Sequence, residues 1–244
     1  MHGAFADATG WQHVIPLLER QGYFVTAVQN PLKSLEDDIA TTRRLIDAQD
    51  GRVVVVGHSY GGVVITGAAS GSDKVDALVY IAAFAPDAGE PIGPLLEKYP
   101  SAIGAALRPD AAGFLSIDRA SFREVFAGDV EETEARVMAA TQKPISGAIF
   151  GAAVNAPAWK TIPSWYLIAT ADRAINPDLQ RFFATRMGAT TSEVEASHVP
   201  FVSRPTDVVR CIVAAPGPIS PGASTTCWSR PSKATFPEYS VYAL

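Results

Sequence analysis

Short apolar runs separated by longer amphipathic stretches set the rhythm of this chain. Phe24–Val28, Arg52–Val56, Ala77–Ala83, Ser164–Ala169 and Thr191–Glu195 each have the length and content of a strand. Val53-Val54-Val55-Val56 is β-branched and continuous rather than alternating. That pattern predicts a strand buried on both faces, as in a parallel sheet covered by helices. Between the runs, Trp11 to Gln21 carries Val14, Leu17 and Leu18 at helical spacing. Leu35 to Ala48 follows Ser34, an N-cap residue, and places Asp37 and Asp38 in its first turn. Strand alternating with helix predicts an open α/β layer fold.

The rhythm stops after Ala85. Pro86, Pro91, Pro94, Pro100 and Pro109 punctuate the next stretch, and helical segments come after it at Arg119–Ala127 and Glu131–Thr141. A structureless connection of this length is unusual inside a compact domain. Residues 86–161 are therefore expected to form an inserted helical cap, with 1–85 and 162–213 as the core. From Ala214 the chain is rich in Pro, Gly, Ser and Thr, so 214–244 reads as a loose tail.

Composition narrows the function classes. A hydrophobic content of 48% over 244 residues supports a sizeable core. The net charge of −5, with no Lys/Arg-rich run, argues against a nucleic-acid partner. Cys211 and Cys227 lie outside any CxxC or Cys/His ligand spacing, so no metal site is expected and a reduced pair is the simplest reading. No signal peptide and no membrane-spanning run are visible, which leads to an expectation of a cytoplasmic protein. The oligomeric state, monomer or homodimer, stays open.

The sharpest chemical signal is Gly57-His58-Ser59-Tyr60-Gly61-Gly62, directly after the valine strand and before the apolar stretch Val63–Ala69. It matches G-x-S-x-G in a strand–turn–helix setting, which presents a serine hydroxyl above the sheet edge. Gly57 and Gly61 are expected because a Cβ there would strike neighbouring backbone. A serine nucleophile needs a base. Of the four histidines, His2 and His13 lie early, and His58 sits on the turn, where its ring should point away. His198 comes late, in Ala196-Ser197-His198-Val199-Pro200. The order Ser, acid, His favours Asp172, in Ala169-Thr170-Ala171-Asp172, over Asp87, Asp178 and Asp207. Oxyanion donors are expected from the N–H of Tyr60 and from the His2-Gly3-Ala4-Phe5 turn, at Ala4.

His2-Gly3-Ala4-Phe5-Ala6-Asp7 with Trp11, the Gly-His-Ser-Tyr-Gly-Gly turn, Tyr80-Ile81-Ala82-Ala83-Phe84-Ala85-Pro86, Ala-Thr-Ala-Asp172-Arg-Ala-Ile and Ser-His198-Val-Pro-Phe fall in one order. Together they resemble bacterial α/β-hydrolases close to the plant methylesterase/hydroxynitrile lyase branch, over residues 2 to about 213. The resemblance implies hydrolysis of small carboxylic esters without a cofactor, Asp172 and His198 as acid and base, and an oxyanion hole shared by Ala4 and Tyr60. Rival readings are a lyase or lactonase on the same fold, and a non-catalytic small-molecule receptor. Lyases of this branch carry Lys and Thr where this chain has Val199 and Gly3.

The substrate pocket is expected to draw on Phe5, Phe126, Phe150 and Val199, with Leu95, Leu96, Phe114 and Phe122 as further cap residues. One departure concerns the fold. Relatives carry a central strand just before the His-Gly turn, whereas this chain starts at Met1-His2. The slot would lie between Phe24–Val28 and Arg52–Val56. Either Tyr239–Ala243 fills it, or its neighbours close up, or the chain is a truncated form of a longer one. In every case Ala4 is expected near a fraying end, with reduced stability and activity.

Overall fold

The computed structural model of the protein describes residues 1–215 and 239–242. In chain order the strands are β1 (Phe24–Val25), β2 (Arg52–His58), β3 (Val75–Ile81), β4 (Leu107–Pro109), β5 (Phe114–Ile117), β6 (Ile145–Ser146), β7 (Ser164–Ala169), β8 (Thr190–Val194) and β9 (Tyr239–Tyr242). The helices are α1 (Ile15–Glu19), α2 (Leu35–Asp47), α3 (Gly61–Ala68), α4 (Ile92–Lys98), α5 (Ile103–Ala106), α6 (Phe122–Phe126), α7 (Glu132–Thr141), α8 (Pro177–Met187), α9 (Pro200–Ser203) and α10 (Pro205–Ala214).

The valine run forms β2, and Val53, Val55 and Val56 are fully buried. It lies inside a six-stranded sheet of order β1-β9-β2-β3-β7-β8, parallel at every pairing. Helix α3 packs on β2 and on α2, while α8 and α10 pack on β7. Ser34 caps α2 as its sequence predicts, its hydroxyl accepting from the Asp37 N–H at 3.1 Å. Two elements are shorter than expected. The first strand covers only Phe24–Val25, and the Trp11–Gln21 stretch divides into a 3₁₀ turn at Ala8–His13 and α1.

Between β3 and β7 the chain makes the expected excursion, but it is not purely helical. Alongside α4 to α7 it carries a three-stranded antiparallel sheet, β4-β5-β6. The excursion is tied back to the core loop before α2 by the Ser146 N–H on the Leu32 carbonyl (2.9 Å) and by Lys143 Nζ on the Asn30 carbonyl.

The central slot is occupied. Strand β9, from the segment expected to be a loose tail, lies between β1 and β2. It pairs Tyr239 to Tyr242 with Arg52 to Val55, and Ser240 and Val241 with Phe24 and Val25. Met1 continues the same slot, its amino group donating to the Val56 carbonyl (2.7 Å) and its carbonyl accepting from the His58 N–H (3.0 Å). The neighbouring strands therefore do not close up. Ala214, assigned to the tail from sequence, ends α10; the rest of that expectation, including Cys227, lies outside the described residues. Cys211 is a buried free thiol.

Pairing β1 and β2 through β9 satisfies backbone groups in the interior of the sheet. A buried backbone donor or acceptor without a partner costs about 1–3 kcal/mol. Deleting residues 239–244 is therefore expected to lower the thermal midpoint by at least about 5 °C. Circular dichroism melts of the full and shortened chains measure this, and coincident melts would contradict the pairing.

Candidate active site

Strand β2 ends at His58 and α3 begins at Gly61, so Ser59 and Tyr60 must make the whole turn. Ser59 adopts φ +53°, a left-handed conformation that costs a non-glycine residue about 1–2 kcal/mol. Three backbone hydrogen bonds hold it there. Its N–H donates to the Ile81 carbonyl (3.3 Å), and its carbonyl accepts from the Gly62 N–H (3.0 Å) and the Phe84 N–H (3.1 Å). The two expected glycines are sterically required: a Cβ on Gly57 would lie 2.7 Å from the Gly61 carbonyl oxygen, and one on Gly61 would lie 2.6 Å from that of Met1.

The turn aims the Ser59 hydroxyl at His198, which the loop between β8 and α9 carries. Ser59 Oγ and His198 Nε2 are 2.9 Å apart, and His198 Nδ1 lies 2.7 Å from Asp172 Oδ2. All three residues are buried. Because the carboxylate can only accept, Nδ1 carries the ring proton and Nε2 is free to accept from the serine hydroxyl. Asp172 follows β7, as expected. Its Oδ1 accepts from the N–H groups of Ala174 (2.7 Å) and Ile175 (2.9 Å). Its Oδ2 also accepts from Gln180 Nε2 at 2.8 Å. The rival Asp87 is instead ion-paired with Lys160, which holds its carboxyl below the usual range.

His58 does not simply point away. Its ring is fully buried, packs 4.6 Å from the His198 ring, and donates from Nε2 to the His198 carbonyl at 2.7 Å. Burial, reinforced by the nearby His198, pushes its pKa well below the usual histidine value. The ring thus braces His198 from below as a neutral group.

Ala4 and Tyr60 line one cavity with Ser59. Among the described residues, neither N–H has an acceptor in the protein. Tyr60 is anchored through its phenol, which donates to the buried Asp38 carboxylate at 2.7 Å; Asp38 Oδ1 also accepts from the Leu32 N–H at 2.9 Å. Burial pushes both the Asp38 carboxyl and the Tyr60 phenol up. Ala4 is held through its neighbour His2, whose Nδ1–H donates to the Gly3 carbonyl (2.9 Å) and whose Nε2 accepts from the Asn30 N–H (3.0 Å).

A cavity opens over Ser59. Phe5, Phe126 and Phe150 line it as expected, and so does Leu96. Val199 does not: its side chain is fully buried in the core at the start of α9. Leu95, Phe114 and Phe122 are also absent from the walls; Phe122 backs Phe126 at 5.1 Å. Phe84, Ile92, Ile103, Ala174 and Ile175 complete the lining without having been expected. Their exposure to the cavity depends on how the cap meets the core, which no local pattern encodes. Among the described residues there is no group of three metal-ligating side chains, and no helix is long and apolar enough to cross a membrane.

The His2 contacts make stability depend on pH. Burial, which takes the charged ring out of water, lowers its pKa from 6.5 to about 4. The unfolded chain then binds the proton more readily than the folded one. Stability is full above about pH 6.5 and falls as pH drops towards 4, by up to about 3 kcal/mol from this group. Urea midpoints measured at pH 7 and pH 5 should show the loss, and His2→Gln should flatten the difference. Equal slopes for wild type and variant would contradict it.

The sequence profile of the Alpha/beta hydrolase family matches residues 1–210. Methylesterase 8 of Arabidopsis thaliana is 25% identical over 233 residues, covering 84% of this chain and 84% of that protein. Polyneuridine aldehyde esterase of Rauvolfia serpentina is 26% identical over 251 residues, covering 87% of this chain and 92% of that protein. Among solved structures, a pyrethroid hydrolase from Sphingobium faniae JZ-2 superposes with a TM-score of 0.74 at 24% identity, covering 87% of this chain and 94% of that one. With the family profile covering residues 1–210 and a serine elbow at the end of a central parallel strand, the chain belongs to the alpha/beta hydrolase family.

Proposed function

We propose that the protein is a carboxylesterase-type serine hydrolase that cleaves small neutral esters through an acyl-enzyme on Ser59. One observation carries this reading: the unbroken chain from Ser59 Oγ to His198 Nε2 (2.9 Å) and from His198 Nδ1 to Asp172 Oδ2 (2.7 Å). His198 removes the hydroxyl proton as Ser59 attacks the ester carbonyl. The developing oxyanion lies against the two unengaged amides of Ala4 and Tyr60, each worth about 3 kcal/mol of barrier in such sites. Asp172 stabilises the imidazolium, which next protonates the leaving alcohol. A water molecule, deprotonated by His198, then releases the acid and restores Ser59.

Substrate chemistry follows from the walls. The cavity is lined by aromatic and aliphatic side chains and by no Asp, Glu, Lys or Arg among the described residues. An ester bearing a free carboxylate would lose its hydration there without gaining a partner. Since Val199 is buried away from the cavity and no lysine among the described residues lines it, hydrolysis is favoured over a lyase reaction. The names of the esterase relatives support the same reading.

Wild type is expected to hydrolyse a short neutral p-nitrophenyl ester, and Ser59→Ala to do so roughly 10⁵-fold more slowly. Initial rates for both proteins on an ester panel test this. Equal inertness of the two would refute the esterase reading, and cleavage of mandelonitrile in its place would promote the lyase.

A further inference from the structure

Among the described residues, Gln180 is the one fully buried side-chain amide that touches the Ser–His–Asp chain from outside it. It is the fourth residue of α8, whose start is fixed by Pro177 and by Asn176 Oδ1 accepting from the Asp178 N–H (2.9 Å). Its side chain points inward and makes three hydrogen bonds. Oε1 accepts from the Ala169 N–H at the end of β7 (3.0 Å). Nε2 donates to Asp172 Oδ2 (2.8 Å) and to the Ile175 carbonyl (3.0 Å). Rotating the amide by half a turn would set an NH₂ against the Ala169 N–H and an oxygen against two acceptors. The surroundings therefore dictate one orientation, with a donor facing the carboxylate.

This donor lands on the oxygen that serves His198. Asp172 Oδ1 is already held by the backbone amides of Ala174 and Ile175. Among the described residues, Oδ2 has two partners, His198 Nδ1 and Gln180 Nε2. We propose that Gln180 is a positioning residue that fixes the plane of the Asp172 carboxylate and shares Oδ2 with His198, coupling the β7 end and α8 to the orientation of the base. This rests on the hydrolase reading for its kinetic consequences, but the geometry it describes is independent of substrate.

Two consequences separate this role from simple core packing. Without Gln180, the carboxylate is free to turn about its Oδ1 contacts, and Nδ1 loses its fixed partner position. A misplaced catalytic group typically costs ten- to a hundredfold in rate. The negative charge on Oδ2 is also no longer shared, so the pull of Asp172 on the protonated imidazole grows. Among the described residues, the other titratable group against His198 is the buried, neutral His58, which does not compensate.

The test uses Gln180→Met, of similar length and without hydrogen-bonding amide, and Gln180→Glu, which donates to Oδ2 only when protonated. Gln180→Met is expected to lower kcat roughly ten- to hundredfold with little change in KM, and to move the acid limb of its pH–rate profile to higher pH. Gln180→Glu should outperform Gln180→Met at acidic pH and lose that advantage as pH rises. The downfield proton NMR signal of the His198 Nδ1–H should shift in both variants, a readout that needs no turnover. A wild-type rate, pH limb and NMR signal in Gln180→Met would overturn the proposal. So would a rate loss that tracks a fall in melting temperature while limb and signal stay in place. If wild type itself turns over no ester, the hydrolase reading fails, and the NMR signal still decides the role of Gln180.

Discussion

The site depends on the strained turn at Ser59. A serine in the left-handed region is unfavourable in isolation, and it persists because the surrounding backbone leaves it no other path. Strand β2 must end under the sheet rim and α3 must begin within two residues. The Gly57–Gly61 approach allows no side chain between them, and Ile81, Gly62 and Phe84 lock the serine backbone in place. That geometry lifts the hydroxyl out of the sheet, points it at His198, and leaves the next amide, Tyr60, without an acceptor among the described residues. Among the described residues, two of the other three non-glycine residues with positive φ, Phe5 and Ala82, flank the same region, so backbone strain is concentrated around Ser59.

Around the turn, each functional group is held by a buried polar partner on a different element. His58 supports His198 through its carbonyl, Gln180 holds Asp172, Asp38 anchors Tyr60, and His2 steadies the Gly3–Ala4 turn. These partners come from β2, α8, α2 and the chain start. The rim of the sheet is thus braced from several directions by hydrogen bonds that water cannot replace. Those same buried groups make the fold sensitive to acid, since protonating either buried histidine sets a donor against a donor or leaves a charge without solvent.

The parts legible in the sequence were those encoded locally. A glycine-flanked serine after a β-branched run marks its own strand, turn and helix, and a late histidine after a strand-end aspartate marks the rest of the chemistry. Ser59, Asp172 and His198 therefore converge as expected. What escaped was non-local. Gln180 looks like an ordinary helical residue until α8 is docked against β7, although its place eight positions after Asp172, on the inner face of the next helix, is a usable signal. The cap sheet joins segments as far apart as Leu107 and Ser146, each too short to stand out. Val199 reads as a pocket residue beside the base, but the turn into α9 sends it into the core. The identity of the central strand also depended on tertiary pairing, which brings Tyr239–Tyr242 beside the valine run.

Covalent capture of an activated serine, as a phosphonate ester formed with loss of fluoride, tests the central chemistry most directly. Intact-mass and peptide mass spectrometry after reaction with a fluorophosphonate should find a single adduct, on Ser59, formed rapidly in wild type and far more slowly in His198→Ala. Labelling at another residue, or equal labelling rates in the two proteins, would contradict a serine activated by that imidazole.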